Sequence, residues 1–159
     1  DNIEAFTLGL QYMYRTEWET VQAAMAAYIR ALPLAVETEA GLFLAHSLPG
    51  RSAQDAFDPA ALDQPVGEEE LAPGGWAHAM VWGRSIQAEL VDRLCRERGM
   101  KAVVLGHQPA PDGWKWIADE RALVVTSEHG HGMLLVVDLG QIPDQDQLDE
   151  HLLPLAAIV

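Results

Sequence analysis

Two of the six histidines stand in the same setting, each directly after an apolar run. His46 follows the run 42–45, and His107 follows the run 103–106. Short apolar runs of this kind predict β-strands, and the ligand sites of α/β sheets gather at the carboxyl ends of strands. A neutral imidazole at such a rigid position is a good metal ligand. Each histidine alone is more often an ordinary hydrogen-bonding residue, whereas the matched pair favours a shared site.

Other chemically capable side chains stand in less specific settings. His129 and His131 are two residues apart, which places them on one face of a strand, but the glycines beside them favour a turn with solvated imidazoles. His78 could line a pocket, and packing beneath a loop is the favoured interpretation. Cys95 has no adjacent His–Asp pair in the sequence to activate it. We therefore expect an inert thiol there.

Composition and charge exclude several classes of function. The chain has 159 residues, of which 49% are hydrophobic, and 24 acidic against 10 basic residues give a net charge of −14. This balance argues against broad binding to nucleic acid or to an anionic membrane, because phosphate binding needs clustered Lys and Arg. It also favours core packing for Trp114 and Trp116, rather than stacking on bases. No apolar run approaches the roughly 20 residues of a membrane helix.

The same data predict the compartment. A single cysteine excludes an intrachain disulfide and suits a reducing environment. No basic segment followed by an apolar one opens the sequence. We therefore expect a cytoplasmic location.

Periodicity predicts helices in the first part of the chain and strands after it. Helical spacing covers residues 3–31, with a capping box starting at Thr16, and Pro33 ends the run. The segments 34–39 and 42–46 around Gly41 then predict a β-hairpin.

The rest of the chain predicts a long surface excursion followed by a helix and strands. Residues 47–75 are rich in Pro, Gly and acidic residues, and a short helix is predicted at 58–63. A helix at 86–98 is expected to stop at Gly99. Strands are predicted at 101–106, 114–118, 121–126 and 132–138.

The order of these pieces resembles a known family. Four segments resemble, in their order, motifs in the C-terminal half of the calcineurin-like metallophosphoesterases. They are Leu32-Pro33-Leu34, the strand ending in His46, Trp82-Gly83-Arg84 and Gly106-His107-Gln108-Pro109. The bacterial and phage relatives of the Ser/Thr protein phosphatases are the most similar branch. The resemblance extends over about residues 18–139, and the Gly-His-Gln-Pro segment is its most specific part. A closing β-hairpin would correspond to 121–127 and 133–139.

The resemblance implies an α/β (α+β) fold, the C-terminal half of a β-sandwich flanked by helices, with residues 1–159 part of one domain. It implies that His46 and His107 bind the same ion of a two-metal centre containing Mn, Fe or Zn. Arg84 would be the catalytic residue that holds phosphate, because a planar guanidinium suits two phosphate oxygens. The implied activity is metal-dependent hydrolysis of a phosphorylated protein or a small-molecule phosphoester.

Two departures from the family pattern leave alternatives open. Ser47-Leu48 stand where the family commonly has two glycines, and the family's aspartate-rich N-terminal motifs do not occur in this sequence. The expectation is therefore a C-terminal fragment that binds metal weakly and hydrolyses little by itself. One alternative is a non-catalytic binding or scaffolding domain with a degenerate phosphatase fold. A third hypothesis is self-association through exposed strand edges and apolar faces.

Overall fold

The computed structural model of the chain describes residues 2–128 and 130–158. The chain divides into two compact units, the first ending at Pro33 and the second beginning at Leu34. The first unit contains helices α1 (Asn2–Tyr14) and α2 (Trp18–Arg30), joined by one 3-10 turn. That the chain is part of one larger domain stays a prediction.

The start of α2 differs from the prediction. The residue before the helix is Glu17, with φ −96° and ψ 0°, and no side chain caps the helix there. An N-cap residue normally has an extended backbone, so that its side chain can reach the free N–H groups. The 3-10 turn runs into α2 without such a residue, and the capping box predicted at Thr16 is wrong.

The second unit is organised by a five-stranded mixed sheet. Its strand order is β1-β2-β3-β5-β4, and a separate two-stranded sheet pairs β6 with β7. The strands are β1 (Ala35–Glu37), β2 (Leu42–Ala45), β3 (Ala102–Leu105), β4 (Trp114–Ile117), β5 (Ala122–Val125), β6 (Met133–Leu135) and β7 (Leu152–Pro154). β2, β3 and β5 run parallel, whereas β1 and β4 are antiparallel edges. The predicted mixed α and β fold is confirmed.

The central strand β3 has apolar side chains buried on both of its faces. All four of its residues are buried, as its continuous apolar run predicts. Val103 and Leu105 pack on one face with Phe43 and with the helix Ala88–Arg98. Val104, on the other face, packs with Leu148 and with residues of the second sheet. The sheet is therefore covered by a helix on one side and by a smaller β-layer on the other.

Three helices follow one another in the chain between β2 and β3. They are α3 (Glu68–Leu71), α4 (Trp76–Trp82) and α5 (Ala88–Arg98). α5 ends at Gly99, whose positive φ of 70° is the left-handed stop that the sequence predicts. A 3-10 helix (Pro59–Asp63) occupies the predicted site at 58–63. Among the described residues, no helix combines the length and apolarity needed to cross a membrane.

The predicted closing hairpin is wrong in its pairing. β5 has β3 on one side and β4 on the other, so neither edge is left for β6. β6 instead pairs antiparallel with β7, with Leu134 opposite Leu153. The second sheet therefore includes β7, a strand that is not among those predicted from the sequence.

The buried face of β2 should dominate the stability of the second unit. Phe43 is fully buried in the helix-side cluster, whereas Val36 on the edge strand β1 is 45% exposed. We expect Phe43→Ala to lower the free energy of unfolding by about 3–5 kcal/mol, because the vacated volume cannot refill. Val36→Ala should cost less than about 1 kcal/mol. Denaturant unfolding measures both, and similar losses for the two variants would contradict the assigned core.

Candidate active site

The structure brings the two strand-end histidines into contact. β2 and β3 are parallel neighbours with Ala45 opposite Leu105, so their carboxyl ends coincide. His46 Nε2 lies 2.9 Å from His107 Nδ1, and the ring centroids are 4.6 Å apart. The proximity that the matched positions predict is therefore observed, while the role of both residues as metal ligands stays a prediction.

The backbone at His107 is bent into an unusual conformation. Its φ of 64° lies in the left-handed region, which a residue with a Cβ rarely adopts. The N–H of the next residue, Gln108, donates to the carbonyl of Gly106 at 2.7 Å and closes a tight turn. Such a conformation costs on the order of 1–3 kcal/mol and persists where the surroundings fix it. Here the bent residue is one that contacts His46.

The environment of His107 favours its neutral form. Desolvation by burial, the neighbouring His46 and the charge of Arg84, in that order, lower the pKa of His107 from the ordinary value of 6.5. Its Nε2 atom is buried and has no hydrogen-bond partner. A neutral imidazole is the form that binds a metal ion.

The two facing nitrogens fit part of a metal ligand set. Two imidazole nitrogens bound to one ion at about 2.1 Å, and separated by about 90–110° at the ion, are about 3.0–3.4 Å apart. The observed 2.9 Å between His46 Nε2 and His107 Nδ1 is close to that separation. Among residues 2–128 and 130–158, no group of three or more His, Cys, Asp or Glu side chains could hold an ion. Two imidazoles alone are fewer ligands than a metal ion usually takes.

Ser47 joins the loop after β2 to the segment after α4. Its side chain is fully buried, and its hydroxyl donates to the carbonyl of Gly83 at 2.6 Å. The two segments touch so closely that a Cβ on Gly83 would overlap the carbonyl oxygen of Leu48. His46 and Arg84, the residues adjacent to this contact, are thereby held near each other. In the sequence alone, Ser47 is visible only as a departure from the family pattern, because its partner Gly83 lies 36 residues away.

Arg84 and Trp82 reach the same end of the sheet as the histidines. The ring of Trp82 meets that of His107 edge-on, with centroids 6.0 Å apart and an interplanar angle of 88°. Arg84 is close enough for its charge to lower the pKa of His107. Both residues are exposed and line a groove of about 1060 Å³. The predicted phosphate-binding residue thus lies beside the imidazole pair.

The remaining sequence candidates lie in different surroundings. His78 lines the groove beside Trp82, with ring centroids 6.3 Å apart, rather than packing beneath a loop. His131 is exposed, and His129 lies outside the described residues. Burial and the charge of Asp92 raise the pKa of the Cys95 thiol, in keeping with the expected inert group.

The buried hydroxyl of Ser47 should contribute measurably to stability. We expect Ser47→Ala to lower the free energy of unfolding by about 1–3 kcal/mol, because the Gly83 carbonyl loses its buried donor. Ser52→Ala, at an exposed position of the following loop, should change it by less than about 0.5 kcal/mol. Urea unfolding of both variants provides the test, and equal stability of the two would contradict the assigned role.

The lowered pKa of His107 should also appear in the pH dependence of folding. Below pH 6.5, the unfolded chain binds a proton at this residue that the folded chain does not, so protonation favours unfolding. The contribution of His107 should thus be constant above about pH 7.5 and become destabilising as the pH falls through 6.5 towards the lower native pKa.

An NMR titration of the imidazole protons measures this pKa directly. His46→Ala should raise the pKa of His107, because a neighbouring charge is lost and the ring gains water. A native midpoint for His107 at or above 6.5 would contradict the assigned environment.

Comparison with solved structures identifies proteins with a similar fold. Neither protein-family models nor curated proteins match the chain. Solved structures do match, among them a protein serine/threonine phosphatase from Saccharomyces cerevisiae with similarity to human phosphatase PP5. The TM-score is 0.62 at 14% identity, over 90% of this chain and 51% of that one. The chain therefore has a phosphatase-like fold and spans about half the length of this phosphatase.

Proposed function

We propose that this chain is the C-terminal half of a metal-dependent phosphoester hydrolase of the Ser/Thr phosphatase type. The observation that carries the proposal is the 2.9 Å approach of His46 Nε2 to His107 Nδ1 at adjacent strand ends. The fold shared with a Ser/Thr phosphatase supports it. The similarity in motif order to the bacterial and phage branch points to that branch.

The two imidazoles would hold one of two divalent ions, with Mn, Fe or Zn as the metal. When bound, such a pair of ions polarises the phosphoryl group and lowers the pKa of a water molecule. The residues of this chain would support that chemistry in two ways. The surroundings of His107 favour its neutral form, and its ring is positioned beside that of His46. The other ligands would come from polypeptide outside these 159 residues. By itself, the chain should bind metal weakly.

Arg84 would bind and orient the phosphate. Its guanidinium is exposed to the groove, and none of the ion pairs of the described residues involves it. A planar guanidinium donates two parallel hydrogen bonds to phosphate oxygens and remains charged throughout the physiological range. The substrate would accordingly be a phosphorylated protein or a small-molecule phosphoester that enters through the groove.

A second candidate is a non-catalytic binding domain that keeps the phosphatase fold. The incomplete ligand set of the described residues, together with Ser47-Leu48 at the usual glycine positions, favours it. Elemental analysis of the longest natural form of the protein separates the two functions. A stoichiometric content of Mn, Fe or Zn supports the hydrolase, whereas a metal-free protein supports the binding domain.

Removal of one imidazole tests the hydrolase directly. In the longest natural form, we expect His107→Ala to lower metal-dependent turnover of p-nitrophenyl phosphate by at least about 100-fold, because the ion loses a ligand. His151→Ala is the matched control, since this histidine is exposed in a 3-10 helix and outside the described site. Turnover that survives His107→Ala undiminished would show that the assignment is wrong.

A further inference from the structure

The groove beside the candidate site has a charge opposite to that of the whole chain. Two arginines, Arg51 and Arg84, line it, and none of the described residues that line it is acidic. The chain as a whole carries 24 acidic residues and only 10 basic ones. A positive groove in such an acidic protein is a local feature that favours an anionic ligand.

Arg51 is oriented by its neighbours. Its Nε and Nη2 atoms donate to Oε1 of Gln87 at 3.2 and 2.8 Å, and its backbone N–H donates to the carbonyl of Ser85 at 3.0 Å. Gln87 is itself fixed, because its Nε2 donates to the same Ser85 carbonyl at 2.8 Å. One side of the guanidinium is therefore fixed, and Nη1 makes no hydrogen bond within the described chain. The segment that holds Arg51 directly follows Arg84.

The partner of Arg51 is a neutral amide, which leaves its charge uncompensated. Among the described residues, Arg98 and Arg121 are the two arginines that pair with carboxylates. Arg93 also donates to neutral oxygens, the backbone carbonyls of Gln54 and Phe57, but it is partly buried and does not line the groove. Orientation without neutralisation is the arrangement expected of a residue that binds an anion from outside. The oriented guanidinium and Arg84 line the same groove, and their backbones adjoin, since a Cβ on Gly50 would lie 3.5 Å from the backbone nitrogen of Arg84.

We propose that Arg51 determines specificity by binding a second anionic group of the substrate, next to the phosphate held by Arg84. The substrate class is then a phosphoester with a second phosphate or a carboxylate close to its scissile phosphate. This inference rests on the proposed function, and it adds a binding site that the imidazole pair and Arg84 do not provide. It predicts a preference for ligands with two anionic groups over ligands with one.

Calorimetric titration of the 159-residue chain, in buffer with a chelator, tests this preference without metal or turnover. Three probes are compared: inorganic phosphate with one anionic centre, pyrophosphate with two phosphates, and phosphonoacetate with a phosphonate and a carboxylate. We expect the better two-centre probe to bind about tenfold more tightly than phosphate, as a charge-assisted hydrogen bond allows. Which of the two probes binds better shows whether the second anionic group of the substrate is a phosphate or a carboxylate.

Arg51→Gln should abolish the preference and leave phosphate binding intact. Gln87→Ala should reduce the preference in part, since Arg51 keeps its charge but loses the partner that orients its guanidinium. Arg96→Gln removes the same charge from an exposed position on α5, outside the groove, and should keep the preference. Thermal unfolding establishes that each variant is folded. Because Arg51 is exposed, we expect Arg51→Gln to remain folded.

The outcomes separate this inference from the proposed function. A preference that persists in Arg51→Gln, or that the unaltered chain lacks, overturns the role of Arg51. Arg84→Gln should weaken all three probes. If it does so while Arg51→Gln changes nothing, the phosphate site stands and the second anion site is wrong. If Arg84→Gln has no effect and Arg51→Gln alone removes the preference, Arg51 binds anions and the proposed phosphate site is wrong.

Discussion

The parallel pairing of β2 with β3 is the constraint on which the candidate site depends. Its register places Ala45 opposite Leu105, so the residues that follow both strands emerge together although they are 61 positions apart in the chain. A slip by one residue would displace His46 along the strand by about 3.3 Å and turn it to the other face of the sheet. The register is fixed by burial, because Phe43 and Val103 are completely enclosed. Core packing thus sets the distance between the two imidazoles.

Close packing also positions the arginines relative to the histidines. Ser47 and Gly83 join the loop after β2 to the segment after α4, and Arg51 is attached by its backbone to Ser85 in that same segment. Because these contacts are made by backbone atoms and one buried hydroxyl, they leave the arginine and histidine side chains facing outward. The loop after β2 and the segment after α4 are more than 30 residues apart in the chain, yet together they form one surface. Interactions within either segment alone could not produce that surface.

The features that the sequence predicts correctly are local, and those that it misses depend on distant contacts. The strand that ends in His107 and the stop of α5 at Gly99 follow from short patterns of residue type. The pairing of β6 is missed because both edges of β5 are already occupied, a property of the whole sheet. The orientation of Arg51 depends on Gln87, 36 residues away, and no spacing rule connects them. Helix α4 is missed because its seven residues are too few to show a helical period, and glycines precede and follow them.

The charge of the chain and the charge of the groove act over different distances. Salt screens charges beyond about 8–10 Å at physiological ionic strength, so the net charge of −14 acts mainly on large polyanions that approach the whole surface. A small phosphoester bound in the groove as proposed would instead interact with Arg51 and Arg84 at hydrogen-bond distance, where the dielectric is lower and the attraction stronger. Under the proposed function, a net negative charge that opposes large polyanions is therefore compatible with binding of a small or locally phosphorylated substrate. Selection of the ligand by size would then follow from electrostatics, before any specific recognition of its leaving group.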